Sequence, residues 1–451
     1  MLSLFFIIEW FDKGEFYMKK ITESELKQFE TYTNEDKDIP ALQAAASQTD
    51  LDTLAYQKQH TDILNGAFAI ETKVRSITNQ QKSGRCWEFS ALNLLREYTA
   101  EKMNLKQFEF SQNYLSFYDK LEKCNNWLNM FIEHRNEAWQ SDMLQYLLNG
   151  ISDGNVWDQP VGLIQKYGLV PKEVMGETWA SNHTSEMNVL LNQMLKKDAL
   201  ILKDTAEDQI DSAKEKMMAE IYRFECIMFG QPVKEFDYAY RDADDNYHKL
   251  YHLTPHSFYD TFVGIDLSQY VHIINEPTSY EPMHRVIESH DNGNMSEQNR
   301  RRLNLPWDEF EFLLISQLND NQPVWIGLDA GAFINRKDGI WDQESYVYEP
   351  WLKKDMSFTK GERLMLKISC PTHNVLLTGV DFDEEGKPVR WKIENSWGKE
   401  SGKDGFFIAS EAYFKEYVYE AAVLKKYMTA EQKNALEKDP VVLKPWELEQ
   451  F

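Results

Sequence analysis

A cysteine at a predicted helix start is the residue best suited to nucleophilic chemistry in this chain. Cys86 follows Gly84 and Arg85, and the apolar residues Phe89, Leu92 and Leu95 continue at helical spacing, which predicts a helix beginning at the cysteine. The first turn of a helix presents unpaired backbone N–H groups and the positive end of the helix dipole, and both stabilise a thiolate. An isolated cysteine that opens a core helix is more often structural, but Gln80 and the Gly84-Arg85-Cys86-Trp87 motif around this one favour a nucleophile.

A glutamine upstream of the cysteine has the chemistry of an oxyanion donor. Gln80 lies six residues before Cys86, and the Ser83-Gly84 turn between them can bring its amide beside the sulfur. A carbonyl attacked by the sulfur develops negative charge on its oxygen, which the Gln80 amide and the backbone N–H of Cys86 can stabilise together.

A thiolate nucleophile needs an imidazole, and the imidazole needs a group that orients it. His373 stands at the entrance to a predicted strand, and Asn395 ends the next one, 22 residues later. A hairpin that joins the two strands makes these residues neighbours across a sheet. We expect Asn395 to hold the ring of His373, and Trp397 to shield that bond from water.

The elements that must bring these residues together change from helices to strands along the chain. Helical spacing is found in four regions, within residues 22–60 and in residues 86–150, 184–220 and 310–318. Apolar or alternating runs predict four strands, at residues 324–328, 374–382, 389–393 and 405–409. Residues 235–300 are predicted to be irregular, and Arg300 to Arg302 to form a solvated helix face or an interface contact.

This order predicts an α+β protein. Residues 18–320 form a helical part that contains the nucleophile helix and an insertion. Residues 321–451 form a β-rich part with the catalytic His and Asn and a C-terminal tail.

The composition limits the partners of this protein. Its 451 residues carry a net charge of −24, which repels phosphate backbones and anionic lipid, so we expect no nucleic-acid or membrane partner. Four cysteines in so long a chain favour a reducing, intracellular setting over a disulfide framework. The Cys370-to-His373 spacing lacks a second Cys/His pair nearby, so no metal site is predicted.

The first seventeen residues differ in character from the rest of the chain. Residues 2–8 are apolar but too short to span a bilayer, and they lack the basic region and cleavage site of a signal peptide. Met18-Lys19-Lys20 reads as a natural start. We expect residues 1–17 to be a non-native extension.

Together these motifs resemble the papain-like cysteine peptidases, and within them the bleomycin hydrolase and bacterial aminopeptidase C branch. The resemblance extends over nearly the whole chain from Met18. It is carried by Gly84-Arg85-Cys86-Trp87, Lys166 to Pro171, Pro323 to Gly327, Thr372-His373 and Glu394 to Gly398.

The resemblance implies a papain-like fold, with a helical left domain, a β-barrel-like right domain and a large helical insertion. It assigns Cys86 as nucleophile, His373 as general acid/base, Asn395 as the residue orienting it and Gln80 as oxyanion donor. It implies a cytoplasmic aminopeptidase that acts on peptides, needs no cofactor or metal and forms a homohexamer around an inner chamber.

In this branch the carboxylate of the chain's own C-terminus blocks the cleft and pairs with the substrate's α-ammonium. The resemblance therefore makes Phe451 a substrate-binding residue, together with Trp397. The sequence departs from the branch here, because the tail after Trp446 is short and ends on a bulky aromatic residue. Glu88 is a second departure, and we expect it either to add negative charge near the cleft or to lie on a solvated helix face.

Three alternatives remain open. An endopeptidase or oligopeptidase of the same fold is expected if the tail leaves room for longer peptides. A Cys-His acyltransferase is disfavoured by Gln80 and by Asn395-Ser396-Trp397. A catalytically dead scaffold is disfavoured because all four catalytic positions are filled.

Overall fold

A computed structural model describes residues 20–291, 293, 295–296 and 298–447. The predicted extension at residues 1–17 and the predicted substrate-binding residue Phe451 lie outside the described residues. None of the described helices is long and apolar enough to cross a bilayer.

The α-helices of the described chain are α1 Glu23–Glu35, α2 Ile39–Ala46, α3 Leu51–Ala55, α4 Lys58–Asp62, α5 Cys86–Lys102, α6 Gln112–His134, α7 Asp142–Leu147, α8 Asp158–Tyr167, α9 Trp179–Asn182, α10 Thr184–Asp204, α11 Ile210–Phe229, α12 Pro255–Phe258, α13 Trp307–Asn319, α14 Glu349–Leu352, α15 Lys360–Met365, α16 Glu411–Tyr417 and α17 Ala430–Leu436. Short 3₁₀ turns include Pro445–Glu447, at the end of the described chain.

The strands are β1 Ile70–Glu71, β2 Phe236–Arg241, β3 Tyr247–Leu253, β4 Tyr270–Ile274, β5 Arg285–Ser289, β6 Arg300–Asn304, β7 Val324–Leu328, β8 Ile334–Asn335, β9 Ile340–Trp341, β10 His373–Phe382, β11 Pro388–Glu394, β12 Phe406–Ser410, β13 Val418–Leu424 and β14 Val441–Leu443. One large sheet has the order β14-β5-β6-β4-β13-β7-β10-β11-β12-β9-β8, with β1 paired to β10. A separate hairpin joins β2 and β3.

The chain divides into two compact units. The described part of the smaller unit comprises residues 20–56 and 346–355, with α1, α2, α3 and α14. Thr22 caps α1 in a reciprocal capping box with Glu25. The helix is exposed along its whole length, as expected from its polar sequence.

The larger unit, residues 57–345 and 356–447 of the described chain, has a helical core and a sheet core. Helix α5 is buried on nearly all sides, and its apolar residues pack with those of α6, α8, α10 and α11. The sheet core forms around β7, β10 and β13, whose side chains are almost fully buried on both faces. Their near-continuous apolar runs are typical of a strand covered on both sides.

The sequence predictions that position the proposed site are confirmed. Helix α5 begins at Cys86, and β7 has the predicted bounds. Strands β10 and β11 pair antiparallel, with Leu376 opposite Glu394, as the predicted hairpin requires. The mixed helical and β architecture agrees with the predicted α+β class.

The prediction for residues 235–300 is wrong, since this region contains the β2–β3 hairpin and the strands β4 and β5. Strand β4 pairs with β13, more than a hundred residues later, and such long-range pairing leaves little trace in a local pattern. Arg300, Arg301 and Arg302 do not form a helix face; they begin strand β6, in which Arg302 is buried.

Candidate active site

Cys86 is the first residue of α5, and the loop that precedes it is held by contacts on several sides. The backbone N–H of Gly84 donates to Asp153 Oδ2 at 2.9 Å. Any side chain at Gly84 would meet Asp153, because a Cβ there would lie 2.7 Å from the Asp153 Cβ. Arg85 donates through Nη2 to Glu177 at 3.0 Å. The loop before α5 therefore has little freedom, and it holds the buried Cys86 at the positive end of the helix.

Gln80 is buried, and both the oxygen and the nitrogen of its side-chain amide form hydrogen bonds. Its Oε1 accepts a hydrogen bond from Ser396 Oγ at 2.6 Å, and its Nε2 donates to the Ser83 carbonyl at 2.6 Å. The Gln80 backbone N–H also donates to the Ser396 carbonyl. The Ser83 carbonyl takes one of the two N–H donors that a glutamine amide carries.

His373 is the first residue of β10, and its ring is held by a residue on the paired strand. The Nε2 atom of His373 lies 2.8 Å from Asn395 Oδ1. Since an amide oxygen only accepts, Nε2 carries a proton here, which leaves Nδ1 as the atom able to exchange one. The indole of Trp397 stacks on the His373 ring, with centroids 4.7 Å apart and planes 25° apart.

A cavity of about 310 Å³ brings Cys86, His373 and Gln80 to one surface. Asn395 is hydrogen-bonded to Nε2 of His373. Trp397 stacks on the imidazole, and the guanidinium carbon of Arg336 lies 4.4 Å from the centre of the Trp397 ring. Among the described residues that line the cavity, Trp397 is not included. The arrangement can place a carbonyl carbon beside a thiol, an imidazole and an amide donor.

Burial acts on both members of the Cys86–His373 pair. It raises the pKa of the Cys86 thiol to about 11, an effect that backbone N–H groups of Asn374 and Trp87 partly oppose. It lowers the pKa of His373 to about 4, although the hydrogen bond to Asn395 works in the other direction. Burial thus opposes the ionised sulfur that the helix start favours.

The same cavity is lined by charged residues that the sequence analysis did not assign to the site. They come from four separate parts of the chain: Glu276, Glu281, Arg300, Arg302, Glu420 and Glu447. Arg302 donates to Glu276 at 3.2 Å and to Glu281 at 3.4 Å. Burial and the neighbouring Glu276 carboxylate raise the pKa of Glu281 to about 9.

Glu88 differs from both of its predicted environments. It is fully buried, not solvated, and it is not among the described residues that line the cavity. Its Oε2 accepts from Ser116 Oγ at 2.8 Å, and burial raises its pKa well above the usual range. Helix α5 is buried on nearly all sides, so the position of Glu88 on a helical wheel does not reveal that its side chain is buried.

Comparison with known proteins identifies the family to which this chain belongs. Residues 20–448 match the Peptidase C1-like family. Aminopeptidase C of Streptococcus thermophilus is 40% identical over 387 residues, 84% of this chain and 87% of the relative. Aminopeptidase C of Listeria monocytogenes is 36% identical over 432 residues, 95% of this chain and 98% of the relative.

A solved structure agrees with these sequence matches. The crystal structure of PepW from Lactobacillus rhamnosis HN001 superposes with a TM-score of 0.92 at 38% identity, over 95% of this chain and 98% of that one. The chain belongs to the Peptidase C1-like family and is a cysteine peptidase with a papain-like fold.

Proposed function

We propose that this protein is a cysteine aminopeptidase that removes N-terminal residues from peptides, with Cys86 as its nucleophile. The observation that carries the proposal is the shared cavity of Cys86, His373 and Gln80, with Asn395 hydrogen-bonded to the far side of the imidazole. Aminopeptidase activity is proposed because the relatives described above are aminopeptidases by name.

In the proposed mechanism, the Cys86 sulfur attacks the carbonyl carbon of the scissile peptide bond while its proton passes to His373. The negative oxygen of the tetrahedral intermediate accepts from Gln80 Nε2 and from the backbone N–H of Cys86. His373 then protonates the leaving amine, and the C–N bond breaks. Water that gives a proton to His373 attacks the thioester, which releases the carboxylic acid and restores the thiol.

Asn395 holds the imidazole in one tautomer through these steps. Its Oδ1 accepts from Nε2, so Nδ1 exchanges protons with the sulfur and the leaving group. We propose that Trp397 covers this bond, and that its contribution to substrate binding is indirect.

Aminopeptidase action requires recognition of a free α-ammonium. We propose that the C-terminal carboxylate, carried by Phe451, supplies part of this recognition, as the resemblance implies. Support comes from Glu447, which lines the same cavity as Cys86 four residues before Phe451. The carboxylates of the cavity wall also favour a cationic group there.

Paired substrates test this proposal. A fluorogenic aminoacyl amide with a free N-terminus should be hydrolysed at least tenfold faster than its N-acetylated form, since acetylation removes the ammonium charge. Cys86→Ala should abolish both reactions. A preference for the blocked substrate would contradict aminopeptidase action, and activity in Cys86→Ala would contradict the nucleophile.

An endopeptidase of the same fold is the second candidate, because the family match supports a cysteine peptidase and does not determine which peptide bond it cleaves. Deletion of residues 448–451 separates the two. If the tail limits the cleft, the deletion lowers hydrolysis of free aminoacyl amides and raises cleavage of internal bonds in N-blocked peptides. If the native enzyme already cleaves internal bonds efficiently, the deletion leaves this ratio unchanged and the second candidate is favoured.

We also propose a cytoplasmic homohexamer. Four cysteines that form no disulfide in the described chain suit a reducing compartment. Exposed apolar side chains on α10 and α11 support assembly, among them Val189, Leu200 and Ile227. Light scattering of the purified protein gives the number of subunits directly.

A further inference from the structure

Arg336 stacks on the indole that covers the proposed general base. Its guanidinium carbon lies 4.4 Å from the centre of the Trp397 ring, and that ring stacks on His373 with centroids 4.7 Å apart. Burial is the main cause of the lowered pKa of His373, and the Arg336 charge lowers it further. A positive charge therefore lies close to the atoms that would react.

The backbone around Arg336 is held in place. Arg336 opens the turn between β8 and β9, and its carbonyl accepts from the Gly402 N–H at 3.3 Å. Within the same turn the Asp338 N–H donates to Asn335 Oδ1 at 3.0 Å. These contacts fix the turn, and stacking on Trp397 limits the rotamers of the arginine side chain, so the guanidinium has a defined position beside the cleft.

The hydrogen-bonding edge of this guanidinium is available to a ligand. Arg336 is exposed, and no ion pair within the described chain includes it. A guanidinium that stacks on an aromatic ring uses its face for that contact, so its N–H donors point outward in its own plane. This planar fork matches the two oxygens of a carboxylate.

The carboxylates of the site lie on another wall. The cavity that contains Cys86 is lined by four glutamates, and neither Arg336 nor Trp397 is among its described lining residues. Both arginines of that cavity are already ion-paired with carboxylates. The proposed function places the substrate's α-ammonium on this acidic side. The part of the peptide beyond the scissile bond then leaves on the other side of His373, where Trp397 and Arg336 lie.

The distance from the imidazole favours short leaving groups. The two centroid distances place the guanidinium carbon no farther than about 9 Å from the centre of the His373 ring, which about two or three extended residues span. The C-terminal carboxylate of a leaving group one or two residues long can therefore reach Arg336. A net charge of −24 repels a carboxylate elsewhere on the surface, so a local cation is needed to hold one.

We propose that Arg336 is a specificity-determining residue that binds the C-terminal carboxylate of di- and tripeptides. The cleft then recognises both ends of a short peptide, the ammonium on the acidic wall and the carboxylate at Arg336. This inference rests on the proposed function, which sets the direction in which the peptide lies.

A tripeptide and its C-terminal amide test the proposal, because they differ only in the terminal charge. In the parent enzyme, kcat/KM for the free acid should exceed that for the amide by about tenfold, the effect of one charge-assisted hydrogen bond. Arg336→Gln should bring this ratio close to one, chiefly by raising KM for the acid. Arg336→Lys should keep part of the preference, because it retains the charge but loses the planar fork.

Arg241→Gln is the matched control. Arg241 is also an exposed arginine over an aromatic ring, with its guanidinium carbon 6.0 Å from the centre of the Tyr247 ring, but it lies on the separate β2–β3 hairpin. This variant should keep the parent ratio of acid to amide hydrolysis. Liquid chromatography of the released N-terminal amino acid measures all of these rates.

Equal kcat/KM for acid and amide in the parent would overturn the proposal. An acid preference that persists in Arg336→Gln would overturn it too, since equal losses on both substrates mean that the arginine acts through Trp397 or His373. Failure of the proposed function is a separate result. It would appear with aminoacyl amides, which carry no carboxylate, as a preference for the N-acetylated form.

Discussion

Burial moves the pKa values of Cys86 and His373, the proposed nucleophile and its proposed general base, in opposite directions. The thiol pKa is raised to about 11 and the imidazole pKa is lowered to about 4. Between these values His373 is a neutral imidazole, the form that can accept a proton from the thiol. Protonation of this ring gives a neutral thiol beside an imidazolium, which can neither attack nor accept the thiol proton.

The acid limb of the pH–activity profile should therefore lie at low pH. An ordinary histidine with a pKa of 6.5 would lose its basic form on acidification below neutrality, whereas His373 should keep it until the pH falls through about 4. We expect kcat/KM to be retained at pH 5 and to fall below about pH 4. Stopped-time assays with a free aminoacyl amide measure this profile.

Unfolding in acid must be separated from titration of the pair. Circular dichroism at each pH serves as the control, and activity lost at pH 4 should return on neutralisation. An acid limb near pH 6.5 in folded protein would contradict the lowered pKa of His373.

Gln80 provides a second residue-scale prediction. Gln80→Ala should lower kcat by about 10²–10³ with a small change in KM, because the amide donor acts mainly in the transition state. Ser396→Ala is the matched control, since it removes the hydrogen bond to Gln80 Oε1 but leaves the donor in place. Equal losses of kcat in the two variants would mean that Gln80 acts through the loop structure rather than as a donor.

The elements around the site differ in how far the sequence predicts them. Helix α5 and the β10–β11 hairpin follow from local spacing, so the positions of Cys86, His373 and Asn395 could be predicted. The cavity residue Glu420 and its hydrogen-bond partner His272 could not, because they come from strands whose pairing with the rest of the sheet is long-range. For the same reason the sequence did not predict that the carboxylates and arginines of the cavity wall lie together.

One buried ion pair links helix α5 to the β10–β11 hairpin. Arg96 on α5 binds Glu394 on β11 through two hydrogen bonds of 3.0 and 2.9 Å, and both side chains are nearly inaccessible to water. Glu394 directly precedes Asn395, so the pair links the elements that carry the proposed nucleophile and the residue orienting its imidazole.

Arg96→Met should lower the free energy of unfolding by about 3–5 kcal/mol, since it leaves the Glu394 charge buried without its partner. The double variant Arg96→Met with Glu394→Met should recover much of this loss. Urea unfolding followed by fluorescence measures both. A single variant as stable as the parent would show that the pair does not hold these elements together.

At the scale of the whole molecule, the exposed apolar residues conflict with the strongly acidic composition. A net charge of −24 favours a well-solvated surface, yet Val189, Leu200 and Ile227 remain more than half exposed on α10 and α11. Burial between subunits is the simplest way to remove such groups from water.

The predicted boundary between a helical and a β-rich part at residue 320 stays a prediction.

If these helices form the contact between copies, charge placed on them should break the assembly. Leu200→Lys with Ile227→Lys should reduce the mass measured by light scattering to that of a smaller species, because each lysine must be desolvated at the contact. Met365→Lys, a matched change at an exposed apolar residue on α15, should leave the mass unchanged. An assembly that persists in the double variant would place its contacts elsewhere, whereas a monomer that still prefers free aminoacyl amides would show that exopeptidase selection is set within one chain and not by an enclosed chamber.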